Sequence, residues 1–185
     1  MDGTYSNIVL SGLQHVDGQE NPAALSEDAY ILIRSEIATF GTPAANGTTP
    51  ASLLEITAPH VMKTGKSPIP CFTMMEKSDF ESALTGEVYS KLFMPTATLF
   101  LPQPTSENAG NISVIKNCRL ILLIKRTGDQ YFTQIGTQDL SAKVKEGSVK
   151  YGKGPTGEPG ITFQVEAPSI HPFYLYKGAL PVTGV

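Results

Sequence analysis

"CRLILLIKRTGDQYFTQIGT", Cys118–Thr137, is the stretch on which the fold turns. Two runs rich in β-branched and aromatic residues flank Thr127, Gly128, Asp129 and Gln130, which is the composition of a β-hairpin. The first arm, "RLILLIK", is apolar on both faces, so it is expected at the centre of a sheet and covered on both sides. The second arm alternates, which predicts one face toward solvent or a partner.

Working outward, "AYILIRSEIATF" (Ala29–Phe40), "SLLEIT" (Ser52–Thr57) and "CFTMMEK" (Cys71–Lys77) read as strands. "SDFESALTGEVYSKLF" begins like a capped helix, but Gly86 interrupts it, which favours strand and loop. "YSKLFMPTATLFLP" carries Pro95 and predicts an edge or bulged strand. "SENAGNISVIKN", Ser106–Asn117, predicts the one helix, with Ser106 as cap and Ile112 and Ile115 on a shared face. "LSAKVKEGSVKYG", "GITFQVEAP" and "HPFYLYKG" complete a set of about eight strands. The expected class is therefore mainly β, a sandwich or half-barrel with one short flanking helix. Residues 1–28 lack periodicity and read as an N-terminal arm, leaving 29–185 as a single domain.

Composition supports this and narrows the function. With 41% hydrophobic and 17% charged residues the chain is a folding sequence, and its 17 Gly and 14 Pro favour many turns. A net charge of -3 gives no sign of a surface built to grip nucleic acid by neutralising phosphates, so any contact with DNA is expected to be loose. The charge is unevenly spread: residues 1–92 hold 11 acids and 5 bases, whereas residues 93–185 hold 6 acids and 9 bases. Such asymmetry suits self-complementary association. The opening "MDGTYSNIVL" lacks the basic start of a secretory signal, and no apolar run approaches membrane-spanning length, so folding in a cytoplasm is expected. On that expectation the sequons at Asn46 and Asn111 carry no weight, and Cys71 and Cys118 are buried thiols.

No motif points to catalysis. "GKGPTGEPG", Gly152–Gly160, contains G-x-G-x-x-G, but a strand follows it and two prolines lie within it, so it reads as a flexible loop. "KTGKS", Lys63–Ser67, resembles the end of a phosphate-binding loop, yet His60 stands where the first glycine must be. His15, His60 and His171 have no metal-ligand spacing, and no serine elbow or reactive-cysteine signature exists. The expectation is a non-enzyme without cofactor or metal.

The order from "VIKNCRLILLIKRTGDQYFTQIGTQDLSAKVKEGSVKYG" through the Gly-rich loop to "TFQVEA" and "PFYLY" resembles the tail tube proteins of tailed bacteriophages, those of Bacteroidetes hosts in particular, over residues 85–178. The resemblance implies a structural virion protein assembled in the host cytoplasm and located in the tail. It implies homo-hexameric rings whose inner sheets form one barrel, stacked into a tube for passage of double-stranded DNA without specific binding. Sheath or tail terminator proteins are the further partners implied, and no membrane. The long loops would stack rings, which makes Gly41, Asn46, Gly47, Gly154, Gly157 and Glu158 the candidate contact residues. The acids Glu76, Asp79, Glu81 and Glu87 are candidates to face the lumen, since a duct for a polyanion must not bind it. Two other readings stay open: a capsid decoration or head-associated protein, and a small-ligand-binding β-barrel with Phe163, Phe173 and Tyr174 around a pocket.

Overall fold

In the computed structural model, the described residues are 8–10, 12–13, 15, 17–20, 22–44 and 47–181. The strands are β1 (Leu25–Ile33), β2 (Ile37–Thr39), β3 (Glu55–Ile56), β4 (Val61–Met62), β5 (Ile69–Phe72) and β6 (Asp79–Thr85), followed by β7 (Leu92–Leu101). Helix α1 (Ser106–Ile115) leads to β8 (Leu120–Arg126), β9 (Phe132–Ile135), β10 (Lys143–Lys150), β11 (Gly160–Glu166) and β12 (Tyr174–Tyr176). The fold is mainly β, as expected, with 41% of the chain in strands and 11% helical. The strand segments outnumber the expectation because several are only two or three residues long, too short to leave a periodic pattern.

The decisive hairpin forms. β8 and β9 pair antiparallel with Leu122 opposite Ile135 and Ile124 opposite Thr133, and Gly128 takes the positive φ of 85° that the turn needs. β8 is interior to a six-stranded sheet of order β3-β12-β9-β8-β1-β5. Its alternate residues enter two different cores. Leu120, Leu122 and Ile124 meet Ala97, Leu99, Phe163 and Val165 of a second sheet, ordered β10-β11-β7-β6, with Ile115 of α1 packed at the same layer. Ile121 and Leu123 point the other way, against Leu32, Ile37, Ile56, Met62 and Tyr176. The molecule is thus a two-sheet sandwich carrying a third layer, the small β2-β4 ribbon.

That third layer explains one departure. Ala29–Phe40 is not one strand: a 3-10 turn at Arg34–Glu36 breaks it, and Ile37 folds back over the sheet's second face. Arg34 secures the break by donating its backbone N–H to the Arg119 carbonyl at 2.8 Å and its Nε to the Gln138 carbonyl at 2.7 Å. The second face of β8 is therefore covered by the ribbon, with α1 on the sandwich side. β1 itself begins at Leu25, a core residue four positions before the expected strand start.

Three further expectations change. β7 is interior, although Pro95 sits within it. Its bond-less nitrogen is tolerated because Pro95 lies opposite Ala167, just past the end of β11, where the Ala167 N–H still donates to the Pro95 carbonyl at 3.2 Å. The helix cap is Thr105, whose side chain accepts from the Asn108 N–H, and α1 ends at Ile115. Gln134 of β9 is buried, not turned to solvent.

Candidate interaction surface

The two sheets treat their edges differently. β5 is one edge of the large sheet. Thr73 donates to the Glu27 carbonyl, so by antiparallel alternation Ala29/Cys71 and Ile31/Ile69 are the hydrogen-bonded pairs, and Pro70 and Phe72 direct their backbone outward. A proline there has no N–H to offer, which blunts the edge against another strand. At the other edge β3 is only two residues long. The four-stranded sheet has longer edges: β6, seven residues, and β10, eight residues, neither containing proline, with a bulge and three lysines on β10 alone.

The two edges differ in charge, acidic on β6 and on balance basic on β10, where Glu146 stands among three lysines. The register sets Asp79, Thr98, Gln164 and Glu146 in one row across the outer face, and Glu81, Thr96, Glu166 and Lys143 in a second. The β6 end of both rows is acidic. β10 contributes Lys143, Lys145 and Lys150, with a bulge between Val144 and Glu146 that lets Lys145 reach Glu166 at 2.9 Å. Between the edges the face carries Thr96, Thr98, Thr162 and Gln164 together with Glu166, which is paired to Lys145, and the Gln164 amide donates to the Thr98 hydroxyl at 3.4 Å.

The candidate residues distribute as follows. Asp79 and Glu81 share this outer face; Glu76 is exposed in the turn before β6, and Glu87 is exposed in the turn after it. "GKGPTGEPG" does join two strands, β10 and β11, as a hairpin loop. Gly154 is exposed with φ 66°. Gly157 is half-buried against Gly152 and Lys153. Glu158 is held within the chain by an ion pair to Lys77, whose ammonium also lies 4.8 Å from the Phe100 ring centre. That ring covers Gly160, where an added Cβ would stand 2.3 Å from it. In the other loop Asn46 lies outside the described residues, and Gly47 packs against Ser52. Gly41 does not reach the surface: it is buried, and a Cβ there would fall 2.0 Å from the Ala58 carbonyl oxygen. Gly41 thus anchors its loop from within the chain.

The anchor is a buried polar network that short-range sequence patterns do not signal. His60, 2% exposed, accepts the Gly41 N–H on Nδ1 at 3.0 Å, so its proton sits on Nε2, which donates to Gln134 Oε1 at 2.9 Å. Gln134 passes its amide hydrogen to the Gly136 carbonyl, and Tyr176 stacks on the imidazole while its hydroxyl accepts the His60 backbone N–H. Burial pushes the His60 imidazole below its ordinary value, against a smaller upward pull from the Gln134 hydrogen bond.

A cavity of about 650 Å³ opens between the sheets beside β6, lined by Leu25, Phe80, Ile124, Tyr131, Phe173 and Leu175 among others. Phe173 lines it, whereas Phe163 is buried in the sandwich core and Tyr174 packs in the opposite core, so the three do not surround one pocket. Among the described residues no group of three or more His, Cys, Asp or Glu is placed to hold a metal ion, and no helix is long and apolar enough to cross a membrane.

Known proteins add no kinship. No family model matches the chain, and neither a curated protein nor a solved structure matches it. The functional argument rests on the surface itself.

Proposed function

We propose that the chain is a self-assembling structural subunit of the tail tube type, in which the four-stranded sheet of each copy joins that of the next through β6 and β10. One observation carries this reading: a single sheet presents two long, proline-free edges that differ in charge, acidic β6 and on balance basic β10. Edge-to-edge addition satisfies the unpaired backbone groups of both strands, and opposite charges across the joint favour it by roughly 0.2–1 kcal/mol per pair. The edges differ, so the contact is head-to-tail, and six copies close it into a ring.

The outer face of such a wall suits a duct for double-stranded DNA. Thr96, Thr98, Thr162 and Gln164 offer neutral side chains, and the flanking carboxylates offset the lysines, which leaves no basic strip for phosphates to hold. Asp79 and Glu81 are the lumen-facing acids of this reading. The subunit acts without catalysis or cofactor, in the virion tail.

The test is negative-stain microscopy of the purified protein from dilute to near-millimolar concentration. Rings or tubes of uniform diameter are expected. A protein that stays monomeric throughout, or pairs only as two-fold dimers, overturns the reading.

A further inference from the structure

The β6–β7 hairpin ends in an exposed tip that no other described residue covers. Tyr89 is 103% exposed and Val88 71%, with Leu84 at 53% and Leu92 also exposed behind them. Tyr89 has φ 68°, a left-handed conformation that a bulky residue adopts only at a cost. The turn is tight: Gly86 has φ 106°, and a Cβ there would meet the Ser90 carbonyl oxygen at 2.4 Å, while the Ser90 N–H donates to the Glu87 carbonyl at 3.0 Å. A strained aromatic held outward, on an apolar tip, has no stabilising role in the monomer.

The same hairpin starts at a receptor of matching chemistry. Ser78, Asp79 and Phe80 at the head of β6 form part of the 650 Å³ cavity, whose other walls include Tyr131, Phe173 and Leu175, with the Arg126–Asp129 ion pair at its margin. That volume is within the range of about 300–1,000 Å³ typical of sites that enclose a small molecule, ample for a tyrosine side chain. The tip lies beyond Thr85 at the far end of β6, a separation of about 23 Å for seven extended residues. A copy's tip therefore cannot enter its own cavity.

We propose that Tyr89 and Val88 of one copy insert into this cavity on a second copy, forming a head-to-tail contact along the strand direction. The cavity wall carries Arg126 with Asp129 and Asp79, one negative charge in sum, and the tip carries Glu87 and Lys91, so Lys91 is the tip's complement to the mouth. The contact runs along the strands, across the direction of the β6–β10 joint, and borders the head of β6, where Ser78, Asp79 and Phe80 form a cavity wall. It rests on the self-assembly reading only in taking a second copy as its occupant.

The test mixes two single-cysteine variants, Val88→Cys and Gln130→Cys, each in a Cys71→Ala, Cys118→Ser background, under mild oxidation. Gln130 is an exposed lining residue of the cavity. A disulfide joining one variant to the other is expected, exceeding either self-linked product. Tyr89→Ser should weaken association at least tenfold. Tyr89→Gly should weaken it equally while raising the monomer's Tm, because glycine relieves the backbone strain. Rings and tubes at wild-type concentration in Tyr89→Ser, with no mixed disulfide, overturn this contact and leave the ring reading standing. Mixed disulfides in linear chains without rings retain the contact and overturn the ring. A wild-type protein with no self-association at any concentration overturns both.

Discussion

A histidine sealed on every side makes stability depend on pH, and His60 is sealed by Gly41, Gln134, Tyr176 and Phe40. Its folded-state pKa lies below the ordinary value, so between the two the unfolded chain holds one more proton than the native one. Stability is then full above about pH 6.5 and falls as the pH drops toward the folded value, by up to about 1.4 kcal/mol per unit. His171, also lowered by burial, acts in the same direction. Urea unfolding at pH 7.5 and 5.5 should show this fall, and His60→Gln should remove most of it while losing about 1–3 kcal/mol at neutral pH, since the Gly41 N–H loses its partner. A wild-type protein equally stable at both pH values would contradict the buried network. None of this was legible locally. "FTQI" alternates as a half-exposed strand does, and the partner that buries Gln134 is 74 residues away. Gly41 likewise read as loop composition, whereas its reason for being glycine is the close approach of Ala58.

At the scale of elements, the sequence was most informative where a pattern was long. The β8–β9 hairpin, α1 and the Gly-rich connection from β10 to β11 follow from runs of apolar residues, a polar cap and a Gly/Pro cluster. What it could not convey were two-residue strands, the fold-back at Arg34 and the neighbours of β7, since pairing order is set by contacts far apart in sequence. Leu122 tests the double burial of β8. Leu122→Ala should cost about 2–5 kcal/mol by denaturant titration, and Leu122→Asp should leave the chain insoluble; a soluble, cooperatively folding aspartate variant would be incompatible with a covered strand. The β10–β11 loop makes the opposite prediction. Deleting Pro155–Pro159 removes the surface ion pair of Glu158 with Lys77, worth at most about 1 kcal/mol, so the monomer should fold nearly as well. A large loss of Tm would mean that the loop organises the fold.

For the whole molecule, the division of charge along the chain becomes a division across a sheet, with β6 from the acidic half and β10 from the basic half. Reversing Lys143, Lys145 and Lys150 to Glu should slow assembly at low salt, and the deficit should shrink as salt rises because exposed charges are screened over roughly 8–10 Å. Light scattering at two salt concentrations measures this; equal rates for mutant and wild type at low salt would remove electrostatics from the joint. The unlike edges have one more consequence, for populations. Each open oligomer, however large, presents one bare β6 and one bare β10, as a single copy does, so no intermediate length is a resting point. Only closure uses up both ends. Mass distributions across a dilution series should therefore be bimodal, with single copies and complete rings exchanging weight and little between them.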